Sequence, residues 1–340
     1  MHRKVESQAM AIYDACIRNR RTWRALAGTV VLCGVIAAAA AAYPERPVRL
    51  IVPSAPGGGA DTVARILAPK LSEIIGQPVV VDNRGGAGGS IGAMTAAHAP
   101  PDGYTLLAAI ASQVTDAAVM KTMAYDLQKE FAPIAQTVTL PNVLAAHTSF
   151  AAQTLRDVMA LARARPGELQ VASGSYGGSS HLAMEYLLSM SGLKMVNVAY
   201  RGVGPALVDV VAGHVPLLMG STLSVLPQIR AGRLRAYGVT SLRRTGAAPE
   251  IPTIAESGVP GYEAYNWSGL LAPAGTPRAL VMQLHAAVIK AMQDPLVRNR
   301  FVDNGADATP SATPEAFGVF MRAEQAKWAK VARDAGIKQQ

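Results

Sequence analysis

The chain has 340 residues, half of them hydrophobic and only 5% aromatic, with 32 basic against 23 acidic side chains. That length admits two domains of ordinary size, each with its own core. The charges are interspersed and form no stripe of Lys and Arg among aromatics, so no nucleic-acid partner is expected; the one locally basic run, Arg230 to Arg244, reads as the solvated face of a strand and turn.

The first forty-two residues read as an export signal. Arg18, Arg20, Arg21 and Arg24 form a basic region, Ala25 to Ala37 is apolar, and Ala37 to Ala42 supplies the small residues a signal peptidase needs. Cleavage is expected near Ala42, just before Tyr43. A membrane anchor is disfavoured, because Gly28 and Gly34 interrupt a stretch already short of the roughly 20 apolar residues a span requires. The true start, Met1 or Met10, and the export route stay open; Arg20-Arg21 is a weak twin-arginine signal, and Leu32 before Cys33 fits a lipoprotein site poorly. Cys16 and Cys33 both lie in this segment, so the mature protein is expected to have no disulfide, thiol catalysis or thiolate metal site. Removing the segment takes six basic and two acidic residues and lowers the net charge from +9 to +5.

The rest is organised around Pro53 to Asp61 (PSAPGGGAD), which follows the apolar run Val48 to Val52. After it Val63, Ile66, Leu67, Leu71, Ile74 and Ile75 recur at spacings of three and four, and Gly76 stops the helix. Three glycines without Cβ let backbone N–H groups approach a ligand. The first N–H groups of the helix have no intrahelical partner, and the dipole places about half a positive charge there, so backbone alone can hold an anion. On this loop by itself, a tight turn that binds nothing is the alternative. Asp61 is expected to cap or complement the helix, and Pro69 to bend or break it.

Val79 to Val81 reads as a second buried strand. Asn83 to Gly92 (NRGGAGGSIG) reads as a close backbone turn at the cleft rim before a short helix to Ala99, since P-loop spacing is absent. Pro100 to Gly103 is a turn and Tyr104 to Ile110 a strand. Phe131 to Leu140 and Asn142 to His147 read as two strands separated by Pro141. Then come a helix from Leu155 to Ala164, begun near Thr154, a strand at Leu169 to Ala172, and the small-residue loop Ser173 to Ser180. A helix at His181 to Met190 and a strand at Met195 to Ala199 follow. Next are helix Pro205 to Ala212, strand Val215 to Met219, helix Leu223 to Ala231 and strand Leu234 to Thr240. An irregular stretch leads to strand Trp267 to Pro273, helix Pro277 to Met292 and helix Pro314 to Ala335. Alternating strands and helices imply α/β architecture with parallel sheets, and the series occurs twice. Two sheets joined near Leu140 and after Thr240 would face each other across a cleft, with ligand loops at the strand carboxyl ends.

Several chemistries can be weighed on residues alone. Ser173-Gly174-Ser175-Tyr176-Gly177 lies between strand and helix, as a nucleophile elbow does, but Ser173 replaces the first glycine. His214 or His285 could serve as base and Asp209 as acid for a hydrolase using Ser175, though nothing in the sequence places them together. Dinucleotide spacing is absent after Gly59, and the six histidines lie singly, so no cofactor or metal is expected. His181 reads either as a donor to a loop carbonyl or as a neutral ligand-site imidazole, Tyr176 as a rim aromatic or lid, and Trp267 as core packing.

Taken together, the stretches YPERPVRLIVPSAPGGGADTVARILAPKLSEIIGQPVVVDNRGGAGGSIGA, APPDGYTLL, YRGVGPALVDVVAGHVPLLM, RAGRLRAYGVTS and GLLAPAGTP, with the Ser173 to Glu185 loop and helix, resemble the periplasmic solute receptors of tripartite tricarboxylate transporters, the Bug family. The resemblance spans essentially the whole mature chain. It implies a type II periplasmic-binding-protein fold, two doubly wound lobes around a cleft, with residues 43–141 plus 265–340 in one lobe and 142–264 in the other. It implies a non-enzymatic, monomeric protein of the periplasm that binds a small carboxylate, partly through water, for delivery to membrane transporter subunits. A ligand sensor without a transport role is the further alternative. The matching positions are Ala55, Gly57 and Gly58 in the first loop, with Gly59 beside them, and Ser173, Tyr176, Ser180 and His181 in the second lobe. Two regions depart from the family pattern. Ser112, Gln113, Asp116 and Ala117 stand where relatives carry a Gly-Thr-rich turn with His and Asn-Pro, and Gly220-Ser221-Thr222 stands where relatives often carry Phe-Asp-Asn. Ser112 and Ser221 complete the candidate set, and the missing Asp implies a non-amino carboxylate over an amino acid.

Overall fold

Val48–Val52 forms β1, and four of its five side chains are fully buried, as expected of a central parallel strand covered on both faces. A computed structural model describes residues 43–337 apart from 55, 57, 58, 87, 88, 121, 122, 175 and 201. The expected signal segment, Ala55, Gly57, Gly58 and Ser175 therefore lie outside the described residues. Residues from 46 onward form one compact unit.

After β1, Gly59–Ile75 is helix α1, running through Pro69 without a break. Of the bend or break expected at Pro69, the break does not occur, for an energetic reason. Proline costs about 3 kcal/mol in a helix interior, whereas burying Val63, Ile66, Leu67 and Leu71 returns about 1.5–3 kcal/mol each. Strands β2 (Val79–Asn83) and β3 (Thr105–Ile110) lie parallel to β1 on either side. Between them, Ser90–Ala97 is helix α2. Ser112–Val119 is helix α3, which the sequence reading left unassigned.

Phe131–His147 is a single strand, β4, where two strands had been expected. Pro141 does not end it, because the ladder changes partners there. Residues up to Pro141 pair antiparallel with Tyr265–Pro273 (β9), and residues from Asn142 pair with Leu217–Ser221 (β7). A proline without an N–H is tolerated at such an exchange. The second series follows as helix α4 (Leu155–Ala164), strand β5 (Gln170–Ser173), helix α5 (Ser179–Ser191), strand β6 (Val196–Ala199) and helix α6 (Val203–Val211). Past β7 come helix α7 (Thr222–Arg230) and strand β8 (Leu234–Val239), then β9. Thr154 begins α4 as expected, in a capping box with Asp157.

The strand order is β2-β1-β3-β9-β4-β7-β5-β6, with β8 also on β4. Helix α8 (Arg278–Gln293), helix α9 (Pro295–Asp303), strand β10 (Asp307–Ala308) and helix α10 (Pro314–Asp334) complete the chain. Helix α9 and β10 were not foreseen. Helix α9 begins with Asp294 accepting from the N–H groups of Leu296 and Val297, beside Pro295 at the first turn. Helix α10 ties the two series together. Phe317 packs edge-on against Trp267, which is core as expected, and Trp328 sits edge-on to Tyr186 of α5. Among the described residues no helix is long and apolar enough to cross a membrane.

Candidate functional site

The first glycine loop is braced from beneath. Asp61, in the first turn of α1, accepts from Arg65 Nε at 2.9 Å to each oxygen and from Asn83 Nδ2 at 3.0 Å. Asn83 Nδ2 also reaches the Ser54 carbonyl at 3.1 Å, so the end of β2 holds the exit of β1. The second glycine loop, of which Ala87 and Gly88 lie outside the described residues, runs into α2 at Gly92. A Cβ on Gly92 would stand 2.7 Å from the Arg84 oxygen and 2.8 Å from Pro53 Cα, so only glycine lets α2 approach the loop this closely.

Above this brace lies a cavity of about 300 Å³. Gly59 and Ala60 from the start of α1, Ser112 from the start of α3, and Ser221 and Leu223 from the start of α7 all line it. Three helix N-termini therefore meet on one small volume, each presenting the positive end of its dipole. None of the described lining side chains is charged. Hydroxyls supply part of the polarity, with the Asn266 side chain and the Trp267 indole, whose buried nitrogen has no partner among the described residues. Ser221 Oγ and Ser224 Oγ are 3.0 Å apart, and the buried Ser54 Oγ has no partner among the described residues. Val63, Ile110, Leu140 and Leu223 give apolar walls. The cavity lies where β4 changes partners: Leu140 lines it, and Ser221 is the cross-strand neighbour of Asn142. Beside it, Thr222 Oγ1 lies within hydrogen-bond reach of the carbonyls of Pro141, at 3.0 Å, and Gly305, at 2.7 Å.

Of the expected site residues, the structure brings Gly59, Ser112 and Ser221 together here. Ser173, Tyr176, Ser180 and His181 form a separate cluster at the start of α5. Ser173 Oγ donates to Asn197 Oδ1 at 2.7 Å, and Ser180 Oγ accepts from the Gly174 N–H at 2.9 Å. His181 is 4% exposed, and its Nδ1 accepts from the Gly177 N–H at 3.3 Å. It therefore does not donate from Nδ1 to a loop carbonyl. Burial pulls its pKa down to about 4, so the ring is neutral at pH 7 with its proton on Nε2. Nε2 stands 4.0 Å from Glu185 Oε1, and burial raises the Glu185 carboxyl. Tyr176 is 46% exposed, with its ring 4.9 Å from that of His181.

Of the hydrolase set, His214 Nδ1 is 3.5 Å from Asp209 Oδ1, Tyr200 donates to the other Asp209 oxygen, and His285 Nε2 instead faces the Ser311 carbonyl. Among the described residues no three His, Cys, Asp or Glu side chains gather as metal ligands. A larger cavity of about 530 Å³ lies beside α3 and α10, but Asp126 and Glu130 line it, the wrong sign for an anion. Sequence reasoning missed Ser54, Ser224 and Asn197. Ser224 stands one helical turn after Ser221, a legible spacing, whereas nothing local marks Asn197 on β6.

The profile of the family described as "Tripartite tricarboxylate transporter family receptor" matches residues 63–337. The protein BugT of Bordetella pertussis is 36% identical over 319 residues, covering 92% of this chain and 97% of that protein. The solved structure of R. palustris Rpa4515 with adipate is 35% identical at a TM-score of 0.76, covering 87% of this chain and 99% of that one. That of MatC from Rhodopseudomonas palustris with bound malate is 32% identical at a TM-score of 0.71, covering 85% and 99%. The fold is thus that of the type II periplasmic binding proteins, as the resemblance implied.

Proposed function

Because this chain belongs to the tripartite tricarboxylate transporter receptor family, we propose that it binds a small carboxylate in the cavity between α1, α3 and α7 and delivers it to transporter subunits in the membrane. One observation carries the reading: three helix N-termini converge on a volume whose described lining has no charged side chain. Such a site favours an anion without a buried countercharge. A helix N-terminus contributes about 0.3–1 kcal/mol to a nearby anion when exposed, and up to about 2 kcal/mol when partly buried. Each charge-assisted hydrogen bond adds about 1.5–3 kcal/mol net. Adipate and malate in the two solved relatives support a carboxylate as the ligand class.

In this reading Gly59, Ser112 and Ser221 touch the ligand; Ala55, Gly57 and Gly58, outside the described residues, are the further ligand positions that the family resemblance implies. No catalysis is involved. The protein acts in the periplasm after cleavage near Ala42. The lobes are residues 43–141 with 265–340, and 142–264, supported by the exchange of β4 partners at Pro141 and Asn142. The absence of an acidic side chain from the described lining favours a non-amino carboxylate over an amino acid. Native mass spectrometry of gently purified protein tests the reading. A retained species that fragments as a carboxylic acid lacking an amino group is expected; a retained amino acid or neutral sugar would overturn it.

A further inference from the structure

The floor of the cavity is a patch of sheet whose register fixes which side chains face it. Ile110 of β3 pairs with Ser268 of β9, and Asn266, two residues earlier on β9, pairs with Leu140 of β4. Directly paired residues share a face, as do residues two apart on one strand, and all four of these line the cavity. Ile110 and Leu140 offer it only hydrocarbon, and the Ser268 hydroxyl donates to the Ala109 carbonyl at 3.0 Å. The Asn266 amide, half-buried, has no hydrogen-bond partner among the described residues. In strand order β9 lies between β3, which leads into α3, and β4, on whose far side β7 leads into α7. An uncommitted amide thus stands on the floor among the helix termini.

We infer that Asn266 is a specificity-determining residue and that the ligand is a hydroxy acid, its hydroxyl next to the carboxylate that the helix termini hold. The inference rests on the carboxylate-receptor reading and narrows it. A carboxylate only accepts hydrogen bonds, so it suits the helix termini and the Asn266 Nδ2 protons. Asn266 Oδ1 also only accepts, so a plain carboxylate gives it nothing and leaves a desolvated carbonyl without compensation. Nδ2 and Oδ1 share one carbon, so a ligand group that meets one lies beside the other. A hydroxyl next to the carboxylate satisfies both: its proton goes to Oδ1, while Nδ2 donates to the adjoining ligand oxygen. An ammonium could also donate to Oδ1, but it would bring positive charge to the positive ends of three helix dipoles, with no acidic side chain in the described lining.

The test titrates pairs of acids that differ by one hydroxyl into the mature protein at pH 7 by calorimetry: lactate and propionate, malate and succinate, 2-hydroxyglutarate and glutarate. In the pair whose length fits, the wild type is expected to bind the hydroxy acid about tenfold or more tightly. In Asn266→Leu, which keeps the size and removes the amide, that preference should fall to within about twofold. Equal binding within every pair by the wild type, or a preference that survives in Asn266→Leu, would overturn the inference and leave the carboxylate reading standing. No binding of any of these acids would overturn both. Urea unfolding of ligand-free Asn266→Leu should match or exceed that of the wild type, since no internal hydrogen bond is lost. A lowered midpoint would give the amide a structural role and overturn the inference. Asn266→Asp adds an independent readout. It sets a like charge beside the bound anion and should weaken both acids of the fitting pair by about a hundredfold. Unchanged binding would place residue 266 away from the ligand and overturn the inference.

Discussion

Acidification isolates the buried imidazole. In the folded protein His181 stays neutral until about pH 4, because burial disfavours its charged form, whereas in the unfolded chain it titrates near the ordinary 6.5. Between these values the unfolded state binds more protons, so the His181 contribution to stability is complete above pH 6.5 and is lost as pH falls through about 4. A shift of about two and a half pH units sets a ceiling of about 3 kcal/mol. Asp116 works the other way. Burial pushes its carboxyl up from 3.8 to about 6, so its contribution is complete below pH 3.8 and lost as pH rises through about 6. The two oppose each other in the same window, and a single unfolding curve would hide both. The informative quantity is the stability difference between wild type and His181→Phe, from urea denaturation at pH 7 and pH 4. Wild type should lose about 2–3 kcal/mol relative to the variant across that range. A difference that does not change with pH would refute the assignment of a neutral buried ring, and Asp116→Asn should shift the balance with the opposite sign.

Three further substitutions probe the site. Gly92→Ala drives a Cβ against the backbone of Arg84 and Pro53, and should cost about 1–3 kcal/mol in urea unfolding while weakening carboxylate binding by about tenfold through the displaced first loop. Thr222→Val keeps the shape but leaves the carbonyls of Pro141 and Gly305 without their shared hydroxyl, a loss of about 1–3 kcal/mol measurable by the same denaturation. Ser221→Asp sets a carboxylate in the uncharged cavity. At about 5 Å from a bound anion and an effective dielectric near 20, the repulsion is about 3 kcal/mol, so calorimetry should show binding weakened by roughly a hundredfold.

The parts of the molecule visible in the sequence are those set by local chemistry. The apolar run of β1, the spacing from Val63 to Ile75 and the Thr154 cap each depend on neighbouring residues, and each appears where expected. The misreadings arise where distant contacts override local preference. Pro69 and Pro141 signal interruptions, but burial carries α1 past the first, and an exchange of strand partners lets β4 pass the second. Helix α3 follows Ala111, which offers no side-chain cap, and it packs against α10. The site divides in the same way. Gly59 was legible from its loop, and Ser112 and Ser221 as departures from a family pattern. That three helices would aim their first turns at one cavity is a property of topology, and the spending of the Ser180 and His181 acceptors on loop amides shows only once Gly174 and Gly177 are in place.

Calorimetric titration of the mature protein at pH 7 with a carboxylate and its isosteric primary amide bears most directly on the uncharged anion cradle. With adipate or malate as the acid, saturable one-to-one binding is predicted, and the amide should bind at least about a hundredfold more weakly, having no charge for the three helix termini to stabilise. Equal binding of acid and amide, or no binding by any small carboxylate, would contradict the account.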